Sequence, residues 1–341
     1  MTYRIGIIGG DGIGPEVTAE AVKCVDASGV SYEGVPFDLG WERYSRDGAV
    51  LPDADLEEIR KLDAIMLGAV GAAAGQGGGI VERGILLRLR FELDLYVNLR
   101  PFTAAPDARH PDIDLTVIRE NSEGLYTGAG GFHRKGTPHE VAVQESINTR
   151  HGVERIVRYA FELAASPARR NKLTLVHKTN VLTFAGDLYQ RVVDELGGEF
   201  PGVETDYVHV DAACIYFLDS PSRFDVIVTD NMFGDIITDL GAMIQGGMGI
   251  AAGGNINPDG VSMFEPIGGT APSEAGKGTI NPLAAIGAME MLLRQLGETD
   301  AAERVDRGIR HATGRMKSMR AGEMGFTTTE VGDLVVEGAT A

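Results

Sequence analysis

The sequence predicts an α/β protein built on a large mixed, mostly parallel sheet. Short apolar runs alternate with stretches of helical periodicity along the chain, and charged residues repeatedly follow the apolar runs. This alternation is typical of parallel strands joined by crossover helices. A length of 341 residues is enough for about two domains. No repeat or low-complexity linker in the sequence marks the boundary between them.

Each predicted element follows from its local pattern. Short apolar runs predict strands, and they cover residues 5–8, 63–71, 114–118, 173–177, 206–210 and 225–229. Apolar residues spaced three and four apart predict helices, and these cover residues 56–62, 153–165, 182–196 and 212–219. The strands and helices therefore alternate in the way that a parallel sheet requires.

The opening segment, RIGIIGGDGIGPEV, combines a strand, a glycine-rich turn and the start of a helix. Dinucleotide-binding βαβ units begin in this way, but their fingerprint is G-x-G-x-x-G. Here Gly10, Gly12 and Gly14 alternate, and Pro15 follows where the first turn of a helix tolerates proline. The motif by itself therefore leaves the role of this turn open.

The composition excludes several classes of partner. The formal net charge is −18, whereas a nucleic-acid-binding protein would favour a basic face. Two cysteines, Cys24 and Cys214, are too few for a disulfide framework and indicate a reducing compartment. The sequence has no signal peptide and no apolar stretch of about 18 residues. We therefore expect a cytoplasmic protein with no membrane and no nucleic-acid partner.

Charged side chains follow the predicted strands at the points where the strands end. Arg119, Lys178 and Asp211 come directly after three of them. Ligands of open α/β sheets bind beyond the carboxyl ends of the strands, so we expect these side chains at one edge. Tyr126, seven residues after Arg119, is a candidate proton donor.

Asp235 and Asp239 lie four residues apart in a helical stretch after the last predicted strand. This spacing puts both carboxylates on one helix face, where they repel each other unless a cation binds. A solvated helix face is the alternative, but the rest of this stretch is apolar. Oxygen ligands suit Mg²⁺ or Mn²⁺, and Asp211 is a candidate third ligand. A phosphoryl-transfer enzyme is less favoured because the G-x-x-x-x-G-K-[ST] loop is missing.

Arg90, Arg100 and Arg119 are candidates for binding a di- or tricarboxylate, because guanidinium groups pair with carboxylates through two hydrogen bonds. For each of them singly, an ordinary ion-paired arginine is the alternative. Leu86 and Leu87 precede Arg90 by about one helical turn. They are either core residues or the lining of a pocket for an apolar substituent.

Three motifs resemble the isocitrate/isopropylmalate dehydrogenase family, the metal-dependent β-decarboxylating dehydrogenases of 2-hydroxy acids. They are GDGIGPEV near the start, NMFGDIITDL at residues 231–240 and EPIGGTAPSEAGKGTINPLAAI at residues 265–286. The resemblance covers nearly the whole chain and implies a two-domain fold that is not a standard Rossmann fold. Residues 1–99 and 246–341 would form a cofactor-binding domain, and residues 100–245 an inserted domain with the metal site and the dimer interface.

The resemblance also implies roles for the matching residues. The substrate would be bound by Arg90, Arg100, Arg119, Leu86 and Leu87. The acid–base pair would be Tyr126 and Lys178, with Lys178 reaching the site of the neighbouring subunit. Mg²⁺ or Mn²⁺ would be held by Asp235, Asp239 and Asp211, the last from the neighbouring subunit and also part of the catalytic set. The active sites of a homodimer, or of a higher oligomer, would thus be shared.

The cofactor implied is NAD, with a monovalent cation as an optional addition. The implied contacts are Ile13, Asn180, Glu265, Gly268, Gly269, Thr270, Ala271, Ser273, Glu274 and Asn281. Gly268 and Ser273 stand where the isopropylmalate branch has a histidine and an aspartate. Glu274 is adjacent and can replace that aspartate, and the lysine of NADP-using relatives is missing. We therefore expect NAD.

The implied reaction is the oxidation of a 3-substituted malate with loss of CO₂. The apolar run at residues 85–87 favours an isopropyl group, which ranks 3-isopropylmalate and leucine biosynthesis first. Other 3-substituted malates, benzylmalate included, rank second. Tartrate, malate, isocitrate or homoisocitrate rank third, because Arg83 lies close by and RENSEGLYTG is similar to those branches. A catalytically silent assembly subunit is disfavoured, since the acid–base and metal residues are all present.

Overall fold

The computed structural model describes residues 2–72, 76 and 79–341 and confirms the predicted α/β class. Its strands are β1 (Tyr3–Gly10), β2 (Tyr32–Pro36), β3 (Ala64–Ala69), β4 (Val97–Thr103), β5 (Asp114–Glu120), β6 (Gly130–His133), β7 (Val141–Gln144), β8 (Lys172–His177), β9 (Glu204–His209), β10 (Val226–Thr229), β11 (Ala252–Ile256) and β12 (Ser262–Pro266). Its α-helices are α1 (Gly14–Ser28), α2 (Trp41–Asp47), α3 (Asp53–Ile59), α4 (Arg88–Glu92), α5 (Arg150–Ala164), α6 (Thr183–Gly197), α7 (Val210–Asp219), α8 (Asn231–Gln245), α9 (Leu283–Gln295), α10 (Thr299–Thr313) and α11 (Thr328–Thr340). None of these helices combines the length and the apolar character needed to cross a membrane.

The chain divides into two compact units. Unit 1 comprises Met1–Leu95, Pro101–Pro111 and Ala242–Ala341, and unit 2 comprises Tyr96–Arg100 and Asp112–Gly241. Both units are therefore assembled from segments that are separated along the chain. The functional domains at residues 1–99 with 246–341 and at 100–245 stay a prediction.

The strands of unit 1 follow the order β2, β1, β3, β12 and β11. β1 runs parallel to β2 and β3, β12 runs parallel to β3, and β11 is antiparallel to β12. This antiparallel pair makes the arrangement mixed, as the sequence predicts. Every residue of β3 is buried, as expected for a parallel strand covered on both faces. Helix α1 packs on β1 and β3 and also contacts α9 and α11.

The strands of unit 2 follow the order β4, β5, β10, β8 and β9. β10 runs parallel to both β5 and β8, and β8 runs parallel to β9. Thr229, the last residue of β10, pairs with Arg119 on one side and Val176 on the other. This register brings the carboxyl ends of β5, β8 and β10 to one edge. Helix α5 packs against these three strands and against α6.

The predicted end of the strand before Asp211 is wrong. The apolar Val210 continues the alternating pattern of residues 206–210, so the sequence predicts a strand up to that residue. In the structure β9 ends at His209, and α7 begins at Val210. Asp211 therefore lies in the first turn of a helix, where a carboxylate interacts favourably with the helix dipole.

The two strands β6 and β7 form a separate antiparallel hairpin in unit 2. Gly130 pairs with Gln144, and His133 pairs with Val141. Every residue of both strands is exposed, including Phe132 and Val143. The sequence pattern does not predict these strands, because a pair without a buried face has no strong apolar alternation.

Helix α10 packs closely against α11 at Gly308, where a Cβ atom would lie 2.2 Å from the carbonyl oxygen of Val335. Alanine favours a helix over glycine by about 1 kcal/mol, but overpacking costs about 1–3 kcal/mol. We therefore expect Gly308→Ala to lower the melting temperature by about 2–8 °C. Gly202→Ala is the control, because in the part of the chain that the structure describes nothing beyond its chain neighbours lies within 4 Å of its Cβ position. Equal melting temperatures of the two variants would contradict the packing described here.

Candidate active site

The buried side chain of Arg119, the penultimate residue of β5, lies across the start of helix α8. Its Nε donates to the carbonyl oxygen of Asn231 over 2.7 Å, and its Nη2 donates to Oδ1 of the same residue over 2.8 Å. Its Nη1 lies 2.7 Å from Oδ1 of Asp235. Gly234 permits this approach, because a Cβ there would lie 2.3 Å from Cγ of Arg119. The guanidinium is therefore held in one orientation by α8.

Tyr126 lies beside this arginine, in the 3-10 turn Leu125–Thr127. Its hydroxyl donates to Oδ2 of Asp235 over 3.0 Å, and Cζ of Arg119 lies 5.2 Å from its ring centroid. Burial raises the pKa of Tyr126, and the charge of Asp235 raises it further, against the opposing effect of Arg119. The structure thus brings three predicted site residues together and keeps the tyrosine protonated.

Asp235 and Asp239 lie one turn apart on α8, and both are exposed. Burial of its carboxylate raises the pKa of Asp239, and so does the charge of Asp235, while Arg100 and Arg119 lower it. Two carboxylates at this spacing are suited to a cation. Within the described residues of one chain, no three His, Cys, Asp or Glu side chains are grouped so as to hold a metal ion. The structure therefore does not bring Asp211 together with these two aspartates in a single chain.

Lys178 and Asp211 form a second group in unit 2. The Nζ atom of Lys178 lies 2.6 Å from Oδ1 of Asp211, and this hydrogen bond is the main reason why the pKa of Asp211 is lowered. The register of the sheet explains the contact, because His177 at the end of β8 pairs with His209 at the end of β9. Lys178 is the more buried partner, with 25% of its side chain exposed against 67% for Asp211.

The other two predicted arginines are buried and hydrogen-bonded within their own units. In unit 2, Nε of Arg100 donates to Oδ1 of Asn98 over 2.8 Å. In unit 1, Nη2 of Arg90 donates to Oε1 of Glu265 over 3.3 Å, and that oxygen also accepts from Nδ2 of Asn255 over 2.9 Å. Buried charges need such partners. Glu265, predicted as a cofactor contact, is therefore also the partner of Arg90.

Leu86 and Leu87 end a π-helical turn, Glu82–Leu87, and are half-buried. Leu86 packs against the core of unit 1. Glu82, in the same turn, is a candidate that the sequence analysis missed. Within the described residues its Oε2 is buried without a hydrogen-bond partner, and buried polar atoms ordinarily have one. No motif in the sequence distinguishes this residue.

The glycine-rich opening turn lies against the loop at residues 265–281 of unit 1. The N–H of Ile13 donates to the carbonyl oxygen of Thr270 over 2.9 Å. A Cβ on Gly12 would lie 2.1 Å from that same oxygen, and Gly12 has a φ of 59°. A side chain at this position would therefore be strained and would collide with the loop. The turn forms a wall beside the segment predicted to bind the cofactor.

Asp11 holds this turn in place and was also missed in the sequence analysis. It is 5% exposed, and its carboxylate accepts hydrogen bonds from three backbone N–H groups. Two of them, from Trp41 and Gly71, reach Oδ2 over 2.8 and 3.0 Å, and the third, from Glu42, reaches Oδ1 over 3.3 Å. One carboxylate thus joins the opening turn to the start of α2 and to the segment after β3.

The loop itself turns at Ala271, which has a φ of 35° and whose carbonyl accepts from the N–H of Glu274 over 2.9 Å. Oε1 of Glu274 accepts from the hydroxyl of Ser273 and from Nζ of Lys277, each over 3.3 Å. A carboxylate is therefore present beside Ser273, at the place where the resemblance implies an aspartate.

The remaining predicted cofactor residues differ in their surroundings. Apart from the adjoining residues, no atom of the described residues lies within 4 Å of a Cβ built on Gly268 or Gly269. Asn281 is 3% exposed, its Nδ2 donates to the carbonyl oxygen of Met319 over 2.9 Å, and its Oδ1 accepts from the first residue of α9 over 3.0 Å. Its side chain therefore supports the fold. Asn180, in unit 2, is exposed.

Two titratable groups are buried at the ends of β8 and β10. Nε2 of His177 lies 3.6 Å from Oδ2 of Asp230, whose Oδ1 caps α8 by accepting from the N–H of Phe233 over 2.7 Å. Burial lowers the pKa of His177 to about 4 and raises the pKa of Asp230 to about 6. As pH falls between these values, His177 lowers the stability of the fold and Asp230 raises it, because the first pKa is depressed on folding and the second is raised. The two contributions therefore oppose each other.

Comparison with known proteins gives a consistent assignment. Residues 4–335 match the profile of the isocitrate/isopropylmalate dehydrogenase family. A protein of Leifsonia xyli named 3-isopropylmalate dehydrogenase is 54% identical over 98% of this chain and 97% of its own. A protein of Nocardia farcinica with the same name is 53% identical over 97% of this chain and 98% of its own.

A solved structure supports the same assignment. The crystal structure of isocitrate dehydrogenase from Methylococcus capsulatus matches with a TM-score of 0.91 and 37% identity over 99% of this chain and 100% of the other. This match confirms the predicted fold. The chain belongs to the isocitrate/isopropylmalate dehydrogenase family.

Proposed function

We propose that the protein is an NAD-dependent, divalent-metal-dependent dehydrogenase that converts 3-isopropylmalate into 4-methyl-2-oxopentanoate and CO₂. The observation that carries this proposal is the 54% identity, over almost the full length, to a protein named 3-isopropylmalate dehydrogenase. The grouping of Arg119, Tyr126 and Asp235 supports it, because it supplies a carboxylate-binding cation, a proton donor and a metal ligand. The enzyme would act in leucine biosynthesis, in the cytoplasm.

The carboxylates on α8 fit a hard divalent cation. Asp235 and Asp239 offer oxygen ligands, and the like charge of Asp235 contributes to the raised pKa of Asp239. Asp211 from a second subunit would complete the set. When bound, the cation would lower the pKa of the substrate hydroxyl and stabilise the negative charge left after loss of CO₂.

The buried arginines would bind the substrate. Asn231 and Asp235 hold the guanidinium of Arg119 in one orientation, so it would present a fixed positive charge to a substrate carboxylate beside Asp235. Arg100 is likewise buried and fixed by a hydrogen bond from its Nε. Pre-oriented guanidinium groups bind carboxylates with little loss of conformational freedom. In unit 1, Arg90 of α4 is the third arginine proposed to bind a carboxylate.

Tyr126 and the Lys178–Asp211 pair would move protons. The pair would take up the proton of the substrate hydroxyl, and bound NAD⁺ would supply the acceptor for the hydride from the carbon that bears this hydroxyl. Tyr126 has a raised pKa, so it holds its proton at neutral pH and can deliver it to the carbon from which CO₂ has left. The same tyrosine hydroxyl donates to Asp235, which places it next to the proposed metal.

We infer that two subunits share each site. Apolar side chains are exposed along α7, α8 and the hairpin, namely Phe132, Val143, Ile215, Leu218, Met232, Ile236 and Met243. Exposed apolar clusters of this kind mark association surfaces. Helix α8 carries three of these residues together with Asp235 and Asp239, so a second subunit that covers this helix would reach the carboxylates. It would bring its own Lys178 and Asp211.

The proposed cofactor is NAD. The Glu274 carboxylate beside Ser273 would accept hydrogen bonds from the adenosine ribose hydroxyls and would repel a 2′-phosphate. Gly268 and Gly269 leave space for close approach of the cofactor to the backbone. The wall formed by Gly12 and Ile13 would border the same cleft.

Isocitrate, which ranks third on the sequence alone, is a further candidate substrate. Arg83 is exposed and lies in the same π-helical turn as Leu86 and Leu87, so it offers a cation to an additional carboxylate. The solved relative with 37% identity is named isocitrate dehydrogenase. The half-buried leucines favour an isopropyl group instead.

The substrate assignment is tested by NADH formation with Mg²⁺ and a panel of 3-isopropylmalate, malate, tartrate, isocitrate and homoisocitrate. We expect kcat/KM for 3-isopropylmalate to exceed that for each other acid by about tenfold or more, since a buried apolar group contributes 1–3 kcal/mol, roughly, to discrimination. NADP⁺ in place of NAD⁺ should give the lower kcat/KM. Higher values with isocitrate would contradict the first choice, and no turnover of any 2-hydroxy acid would contradict the whole proposal.

The metal site is tested with Asp239→Asn. Loss of one charged ligand should raise the Mn²⁺ concentration for half-maximal activity by about tenfold or more. Asp194→Asn on α6 is the matched control, because this aspartate is exposed and, within the described residues, accepts a hydrogen bond from Nε2 of Gln190. The control should titrate like the wild type. If both variants require the same Mn²⁺ concentration, Asp239 is not a ligand.

A further inference from the structure

The short segment after β8 carries two residues of the proposed site, Lys178 and Asn180, with Thr179 between them. The carbonyl oxygen of Lys178 accepts from the N–H groups of Val181 and Leu182 over 3.0 and 2.8 Å. These bonds form a turn into α6, but they leave the N–H group of Thr179 to be satisfied elsewhere.

The hydroxyl of Tyr207, on the neighbouring strand β9, holds Thr179 by two contacts. It accepts from the N–H of Thr179 over 3.1 Å and lies 2.9 Å from the Oγ1 atom of the same residue. It also lies 2.8 Å from Nδ1 of His209, and the two rings meet at an interplanar angle of 84°. The carbonyl oxygen of His177 is a more distant neighbour, at 3.4 Å.

These contacts use the full hydrogen-bonding capacity of the Tyr207 hydroxyl. A phenol has one proton to donate and lone pairs for two bonds. The N–H of Thr179 takes one acceptor position, and the Thr179 hydroxyl and His209 share the proton and the other position. The hydroxyl therefore has no donor or acceptor position left for a substrate, and all its contacts stabilise the fold around Lys178.

Helix α6 closes the other side of Thr179. A Cβ on Gly186 would lie 2.7 Å from the Cα atom of Thr179. The backbone of Thr179 is thus confined between Gly186 and the Tyr207 hydroxyl. Interiors packed in this way tolerate little displacement. The backbone atoms from which the side chains of Lys178 and Asn180 extend are therefore held in place.

The same contacts extend to Asp211. His209 is the residue before α7, and Asp211 lies in the first turn of that helix. Asp211 in turn accepts from Nζ of Lys178 over 2.6 Å. Tyr207 is therefore hydrogen-bonded to the segments on both sides of the Lys178–Asp211 pair.

We propose that Tyr207 is a positioning residue for the reaction, and that its hydroxyl fixes the segment from Lys178 to Asn180 in the orientation that proton uptake requires. This inference rests on the proposed function of Lys178. Tyr207 touches neither the substrate nor the cofactor in this account. Removal of the Tyr207 hydroxyl should make the position of Lys178 less fixed, without changing the arginines that bind the substrate.

Tyr207→Phe tests the hydroxyl alone. We expect kcat with 3-isopropylmalate to fall by about tenfold, because small displacements of a reacting group have effects of this size. KM for 3-isopropylmalate should stay within about twofold, since the arginines lie on other elements. The Thr179 amide should exchange its hydrogen with solvent faster, as measured by NMR or on a peptide that covers the segment. Tyr159→Phe in α5 is the control, because the Tyr159 hydroxyl has no hydrogen bond among the described residues. This variant should match the wild type in kcat, in KM and in the exchange rate of the Thr179 amide.

The amide-exchange measurement keeps this inference separate from the proposed function. An inactive wild type would refute the function, whereas the exchange rate of the Thr179 amide would still decide the role of Tyr207. Unchanged exchange or unchanged kcat in Tyr207→Phe would overturn the inference. If that variant does not fold, Thr179→Val should lower kcat while Thr179→Ser retains it, and equal kcat values for these two would overturn the inference as well.

Discussion

The buried guanidinium of Arg119 is the interaction on which the site in unit 2 depends. A charge with 2% of its side chain exposed requires partners on every side, and α8 supplies them through Asn231 and Asp235. Because these residues lie one turn apart, the arginine fixes the rotation of the helix and therefore the direction of Asp239. Gly234 makes the contact possible, since any side chain there would displace the arginine.

In unit 1, contacts with backbone groups hold the glycine-rich opening turn in place in a comparable way. Gly12 and Ile13 lie against the carbonyl of Thr270, and Asp11 ties the same turn to two other segments. The glycines of the opening segment are thus spaced for contact with a loop about 250 residues later in the chain. In a Rossmann turn, by contrast, the glycines allow the backbone to bind a pyrophosphate. This use of the turn explains why its spacing departs from the usual fingerprint.

Local patterns were sufficient to predict β5, β8, β10, α5 and α6, because apolar alternation and helical spacing are properties of neighbouring residues. The strand ends then identified Arg119 and Lys178 as site candidates. The residues that hold them were not predictable in this way. Arg119 and Asn231 are 112 positions apart, and Tyr207 meets Thr179 only because β8 and β9 are adjacent. The start of α7 was also missed, because Val210 continues the pattern of a strand. Asp211 was therefore expected directly after a strand, whereas it lies in the first turn of a helix.

We propose that each active site combines Tyr126 and Asp235 of one subunit with Lys178 and Asp211 of another. Mixing the inactive variants Lys178→Ala and Tyr126→Phe after dissociation, and measuring NADH formation on reassociation, tests it directly. Random mixing gives half mixed dimers with one intact site each, so the account predicts recovery of about one quarter of the wild-type activity. Mixed dimers that form without any recovery of activity would contradict the shared site.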